Sequence, residues 1–88
     1  VLGTMKSALA GNFCLTTPNG NTSNNTQLQI SQCVDGDVNQ MFYKDGNRFN
    51  SQLSSNQKID AAGTNSGDPI IFYESNGGDN QKWRAGLY

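Results

Sequence analysis

The residues that could do chemistry gather in the second half of this chain. Four carboxylates, Asp60, Asp68, Glu74 and Asp79, lie within twenty positions of one another. A pair of them at the right separation could act as acid and base on a glycosidic bond. Nothing in their spacing singles out such a pair, and 88 residues leave no room for a deep cleft. There is no histidine, so a serine or cysteine triad lacks its usual base, and the commonest metal ligand is gone. Gly77-Gly78 is followed by no Gly-Lys-Ser/Thr, so it is no phosphate loop. Asp35-Gly36-Asp37 lacks the rest of a calcium loop and reads as a turn. Two cysteines alone make no zinc site. These residues imply no catalysis, no metal and no cofactor.

Composition narrows the rest. With 34% hydrophobic and 9% aromatic residues, the core must be thin, and a single domain of this size is marginal without help. Charged residues make up 15% and the net charge is −1. There is no basic patch to neutralise phosphates, which argues against nucleic acid. No apolar run reaches the roughly 18–20 residues of a membrane span, and no signal peptide is visible. Cys14 and Cys33 are either two buried thiols or one disulfide, and the Asn/Ser/Thr/Gly-rich composition favours the disulfide of a secreted chain. Asn21-Thr22-Ser23 and Asn24-Asn25-Thr26 fit the N-glycosylation pattern, as chance matches would in so Asn- and Thr-rich a chain.

The elements that must position any site come from a repeat. Val38-Asn39-Gln40-Met41-Phe42 returns as Asp79-Asn80-Gln81-Lys82-Trp83, each Asn, Gln and aromatic 41 positions on. A fixed period of that size marks an internally repeated fold. Short strands are predicted at residues 4–7, 13–16, 27–31 and 41–43, then at 48–51, 58–61 and 70–73. Asn/Gly/Asp/Pro turns separate them, including a hairpin turn at 44–47. About four short strands per 40 residues predict an all-β barrel or propeller. Phe42 and Trp83 are expected in the core, with Gln40 and Gln81 pairing backbone groups at turns.

At these residues the chain resembles the ricin B-chain type of lectin repeat, whose hallmark is Gln-x-Trp. The likeness runs over nearly the whole chain: one lectin domain, 1–88, with repeat one at 3–43 and repeat two at 46–88. Gly3-Thr4-Met5-Lys6-Ser7 and Gly11-Asn12-Phe13-Cys14-Leu15 match the opening of the repeat. Asn39-Gln40-Met41-Phe42 closes repeat one with Phe in place of Trp. Ile59-Asp60, Asp68-Pro69-Ile70-Ile71-Phe72-Tyr73 and Asn76-Gly77-Gly78-Asp79-Asn80-Gln81-Lys82-Trp83 follow the pattern in repeat two. The resemblance implies a β-trefoil, a Cys14–Cys33 disulfide within repeat one, and no disulfide in repeat two, where Lys58 and Ser75 hold the cysteine positions. Only two of the usual three repeats are present. The trefoil is therefore expected to be incomplete in one chain, either excised from a larger protein or completed by a homo-oligomer or partner chain. Its uncovered apolar face should include Leu9, Leu28, Ile30, Ile59, Ile70 and Phe72.

The function implied is carbohydrate binding outside the cell, to a galactose-like sugar, with xylan and other glycans open. A sugar needs a flat apolar face for its C–H patch and fixed partners for its hydroxyls. By resemblance, Asp60 is the carboxylate that accepts from hydroxyls, Tyr73 the stacking ring, and Asn80 a hydroxyl partner, with Gln81 holding Asp60. Repeat one has Thr16 and Ser31 at the carboxylate and aromatic positions, and is read as structural. The rivals are a trefoil surface that binds protein, as inhibitors of this shape do, and a structural repeat whose sugar site has decayed.

Overall fold

Alternation of short β-prone stretches with Asn/Gly turns gives seven strands and no α-helix among the described residues. The computed structural model describes residues 2–8 and 12–84. The strands are β1 (Leu2–Gly3), β2 (Phe13–Thr16), β3 (Gln29–Gln32), β4 (Phe42–Asp45), β5 (Arg48–Ser51), β6 (Gln57–Ala61) and β7 (Ile70–Glu74). The two Asn-Gln pairs close matching single turns of 3-10 helix, Val38–Gln40 and Asp79–Gln81. Both Gln side chains are buried. Gly46, at φ 62°, lets the two-residue β4–β5 connection turn tightly between the Asp45↔Arg48 pair.

One antiparallel sheet runs in the order β1-β4-β5-β6-β7, and β2-β3 form a separate hairpin. The sheets do not close into a barrel. The predicted strand at 4–7 is mostly irregular. It still lies along β2, with Leu15 N donating to Met5 O at 2.8 Å and Ser7 N to Phe13 O at 2.9 Å. Gly11, expected in the adjoining turn, lies outside the described residues; Asn12 sits there at φ 65°. Residues 25–28 run along the free edge of β7, where Leu28 N donates to Ile70 O at 2.9 Å and Phe72 N to Thr26 O at 2.9 Å. This stitch carries the loop of repeat one onto the sheet of repeat two.

The stitch also changes which apolar residues are covered. Leu28, Phe42, Phe49, Ile59 and Phe72 form the core, with Met5, Leu15 and Trp83 packed against it. Leu28, Ile59 and Phe72 are therefore interior rather than part of an uncovered face, because each repeat closes over the other. Ile30, at 52% exposed, and Ile70, at 36%, do stay open. Alternation predicts Ile30 facing inward, yet past Leu28 the strand leaves the core and all of β3 is exposed. Leu9 lies outside the described residues. Trp83 is half-buried, and its indole Nε1 donates to Ile59 O at 3.0 Å, tying the end of repeat two to β6.

Cys14 and Cys33 are joined by a disulfide, their Cα atoms 5.0 Å apart. The two hairpins share one register. Cys14 faces Ser31 as Lys58 faces Tyr73, and Thr16 faces Gln29 as Asp60 faces Ile71.

Candidate functional site

The candidate site is built on the β6–β7 hairpin. Side chains alternate along β6, so Ile59 enters the core while Lys58 and Asp60 take the opposite face. Cross-strand partners share a face, which puts Tyr73 opposite Lys58 and diagonal to Asp60. The Asp79–Gln81 turn packs against β6. Its Asn80 Nδ2 donates to Asp60 Oδ1 at 2.8 Å, and its Gln81 Nε2 donates to Asp60 Oδ2 at 2.9 Å. Asp60 is only 3% exposed, and a buried carboxylate without such donors would be costly. Each of its oxygens accepts one bond from these amides and has capacity for another.

Gln81 is spent inside the chain. Beyond Asp60, its Nε2 donates to Glu74 O at 3.0 Å, and its Oε1 accepts from Asn76 N at 3.2 Å. Gln81 thus pairs backbone groups at the turn, as expected, and fixes the carboxylate as well. Asp60, Tyr73, Asn76 and Asn80 line an open cavity of ≈ 190 Å³ together with Ala62, Ile71 and Asn25. Of the four residues singled out from sequence, Asp60, Tyr73 and Asn80 face this cavity and Gln81 lies behind it. In the sequence Asn25 stands out only as the middle of the glycosylation-type triplet Asn24-Asn25-Thr26. Its place in the cavity depends on a contact between repeats, which no local pattern announces.

Repeat one has the same frame and different contents. Gln40 Oε1 accepts from Val34 N at 2.8 Å, and its Nε2 donates to Gln32 O at 2.8 Å. Where Gln81 meets a carboxylate, Gln40 meets the hydroxyls of Thr16 and Ser31, each at 3.2 Å. Those two hydroxyls are 2.7 Å apart and bond each other. The carboxylate and ring positions of repeat one are thus an internal polar link. A cavity of ≈ 260 Å³ lies beside the Cys14–Cys33 disulfide, with Lys6 and Asp35 in its lining and no aromatic ring. Among the described residues no group of His, Cys, Asp and Glu could hold a metal ion. No helix among the described residues is long and apolar enough to cross a membrane.

Two hairpins in one register, β2-β3 and β6-β7, each followed by an Asn-Gln turn, place the chain among trefoil-type repeat proteins. The family model of the ricin-type beta-trefoil lectin domain matches residues 1–86, and the chain belongs to that family. No curated protein matches the chain. Membership suggests carbohydrate binding, and the family is generally non-catalytic.

Proposed function

We propose that the chain is a non-catalytic lectin module that binds a galactose-like sugar through repeat two. One observation carries this reading. The Asp60 carboxylate, bonded by Asn80 at 2.8 Å and Gln81 at 2.9 Å, faces a cavity walled by Tyr73. Asp60 accepts from two sugar hydroxyls, and charge-assisted bonds of this kind are the stronger ones. Tyr73 offers its ring to the sugar's C–H face. Asn80 presents its amide to a hydroxyl, and Gln81 holds the carboxylate in place without touching sugar. The cavity is below the usual size for drug-like ligands, which fits a single ring. The disulfide supports a secreted or extracellular setting. The unclosed sheet and the exposed Ile30 and Ile70 support completion by a second copy of the chain or by a partner chain.

The test is a chemical-shift titration of the parent chain with galactose, lactose, N-acetylgalactosamine and xylose. Saturable shifts around Asp60 and Tyr73, with a dissociation constant near millimolar, or about −4 kcal/mol, are expected. No shift with any of the four would leave the fold as a structural repeat.

A further inference from the structure

We infer that the repeat-two pocket is a composite site, in which Asn25, delivered by repeat one, contacts the sugar and helps to set its specificity. This rests on the carbohydrate-binding reading above and adds to it a residue from outside the hairpin that carries Asp60 and Tyr73.

The delivery is visible in the backbone. Residues 25–28 pair with the edge of β7, with a bridge at Gln27↔Ile71. Asn25 N donates to Phe72 O at 2.8 Å, while Phe72 N donates to Thr26 O at 2.9 Å. Two residues, Asn25 and Thr26, therefore oppose one, and Asn25 is left-handed at φ 70°. That is a β-bulge, a device that re-aims a side chain and is over-represented beside functional sites. Here the bulge lies beside Tyr73, and Asn25 lines the same cavity as Asp60 and Asn80.

The neighbouring asparagine holds the segment still. Asn24 Nδ2 donates to Glu74 Oε1 at 3.0 Å, and Asn24 Oδ1 accepts from Glu74 N at 2.9 Å and from Gln57 Nε2 at 2.8 Å. Gln57 Nε2 also donates to Thr22 O at 2.7 Å. Asn24 thus spends its carboxamide fastening the loop to β6 and β7. The Asn25 carboxamide has no hydrogen-bond partner among the described residues. A left-handed φ by itself asks only for Gly or Asn. The unspent carboxamide at a cavity wall is the further feature, and it can both donate to and accept from a ligand. A pyranose held by Asp60 and Asn80 has further hydroxyls, or an acetamido group, and these are the groups Asn25 meets. The site then needs both repeats, although its carboxylate and ring come from one.

The experiment uses the whole chain with Asn25→Gly, which keeps the left-handed backbone and removes only the carboxamide. Galactose and N-acetylgalactosamine are titrated against parent and variant, with thermal melts alongside. The expected result is an unchanged melting temperature, a roughly five- to tenfold weaker affinity, as for the loss of one neutral hydrogen bond, and an altered ratio between the two sugars. Equal affinities in parent and variant would overturn this inference and leave the role of Asp60 standing. A parent that binds neither sugar would overturn both. Should the variant melt early, the parent's own Asn25 side-chain amide signals decide. Signals that shift on adding sugar support the contact, and signals that stay in place overturn it.

Discussion

Gln81 Nε2 donates to Asp60 Oδ2 at 2.9 Å, between a fully buried amide and a nearly buried carboxylate. That bond joins the closing turn of repeat two to the middle of β6. The amide also meets Glu74 O, and its oxygen meets Asn76 N, so one side chain fixes the carboxylate and two backbone groups. Gln40 makes the backbone half of this arrangement in repeat one without the carboxylate. The repeated Gln is therefore a fold residue, and in repeat two it also bonds a carboxylate.

Two substitutions separate these roles. Gln81→Ala and Gln40→Ala should both destabilise by about 2 kcal/mol or more, because each strands buried polar groups. Only Gln81→Ala should also weaken sugar binding, since of the two glutamines only Gln81 bonds Asp60. Denaturant melts with a sugar titration on the folded variants would check this. Equal binding losses in both would mean that the two turns act on the site alike.

Asp60→Ala and Tyr73→Ala should abolish detectable binding while the β-rich circular dichroism stays unchanged. Losing a charged hydrogen-bond partner costs about 1.5–3 kcal/mol, a large share of the roughly 4 kcal/mol of a millimolar site. Thr16→Ala and Ser31→Ala break an internal hydroxyl link and the bonds it accepts from Gln40, all within repeat one, and should leave the affinity untouched. A monovalent sugar is needed, because linked sites in an assembly would mask partial losses. Asp60→Ala binding like the parent would remove repeat two from consideration.

The sequence made the repeat legible because strand spacing, turns and the Asn-Gln-x-aromatic period are local. It located β2 to β7 within two residues, and the likeness to lectin repeats pointed to Cys14–Cys33. Alternation along 27–31 turns Leu28 inward, but it does not say what covers it, since that depends on residues 25–28 pairing with β7 some 45 positions away. The same long-range pairing put Asn25 into the cavity. Pair geometry between repeats has no short-range signature, whereas the face alternation of Ile59 and Asp60 within one strand does.

The disulfide should carry much of the stability of so thin a core. Closing a loop of 19 residues contributes about 3 kcal/mol in the chain-entropy model. The Cys14→Ser, Cys33→Ser double variant should lose about that much in a urea melt. A change below about 1 kcal/mol would show that strand pairing alone holds the hairpin.

The open apolar groove bears on assembly. Met5, Leu15, Ile30 and Ile70 line a shallow cavity of ≈ 190 Å³, and a net charge of −1 does little to keep copies apart. Sedimentation at micromolar concentration should show self-association that Ile30→Lys reverses. A parent that sediments as a folded monomer would contradict this.

Lys58 poses the sharpest question of stability. It fills a position that holds Cys14 in repeat one, and it is only 6% exposed. Its ammonium has three N–H donors, and its hydrogen-bond partner among the described residues is Asn50 Oδ1, at 3.2 Å. Asn50 in turn donates to Ser51 O at 2.9 Å, so its amide oxygen is the end left over for the lysine. No carboxylate lies within ion-pair distance of Lys58 among the described residues. A buried charge paired so thinly is expensive, and replacing it by an apolar group of similar length is often neutral or stabilising. Lys58→Met should therefore keep or raise stability, by up to about 2 kcal/mol, and leave sugar affinity unchanged. Asn50→Ala should do the opposite, costing about 1–3 kcal/mol by leaving the ammonium without that acceptor. In the Lys58→Met background the Asn50→Ala cost should fall, because the partner it strands is gone. A double-mutant cycle on melting measures that coupling. If Lys58→Met destabilises by more than about 2 kcal/mol, the ammonium is doing something that the Asn50 bond does not account for.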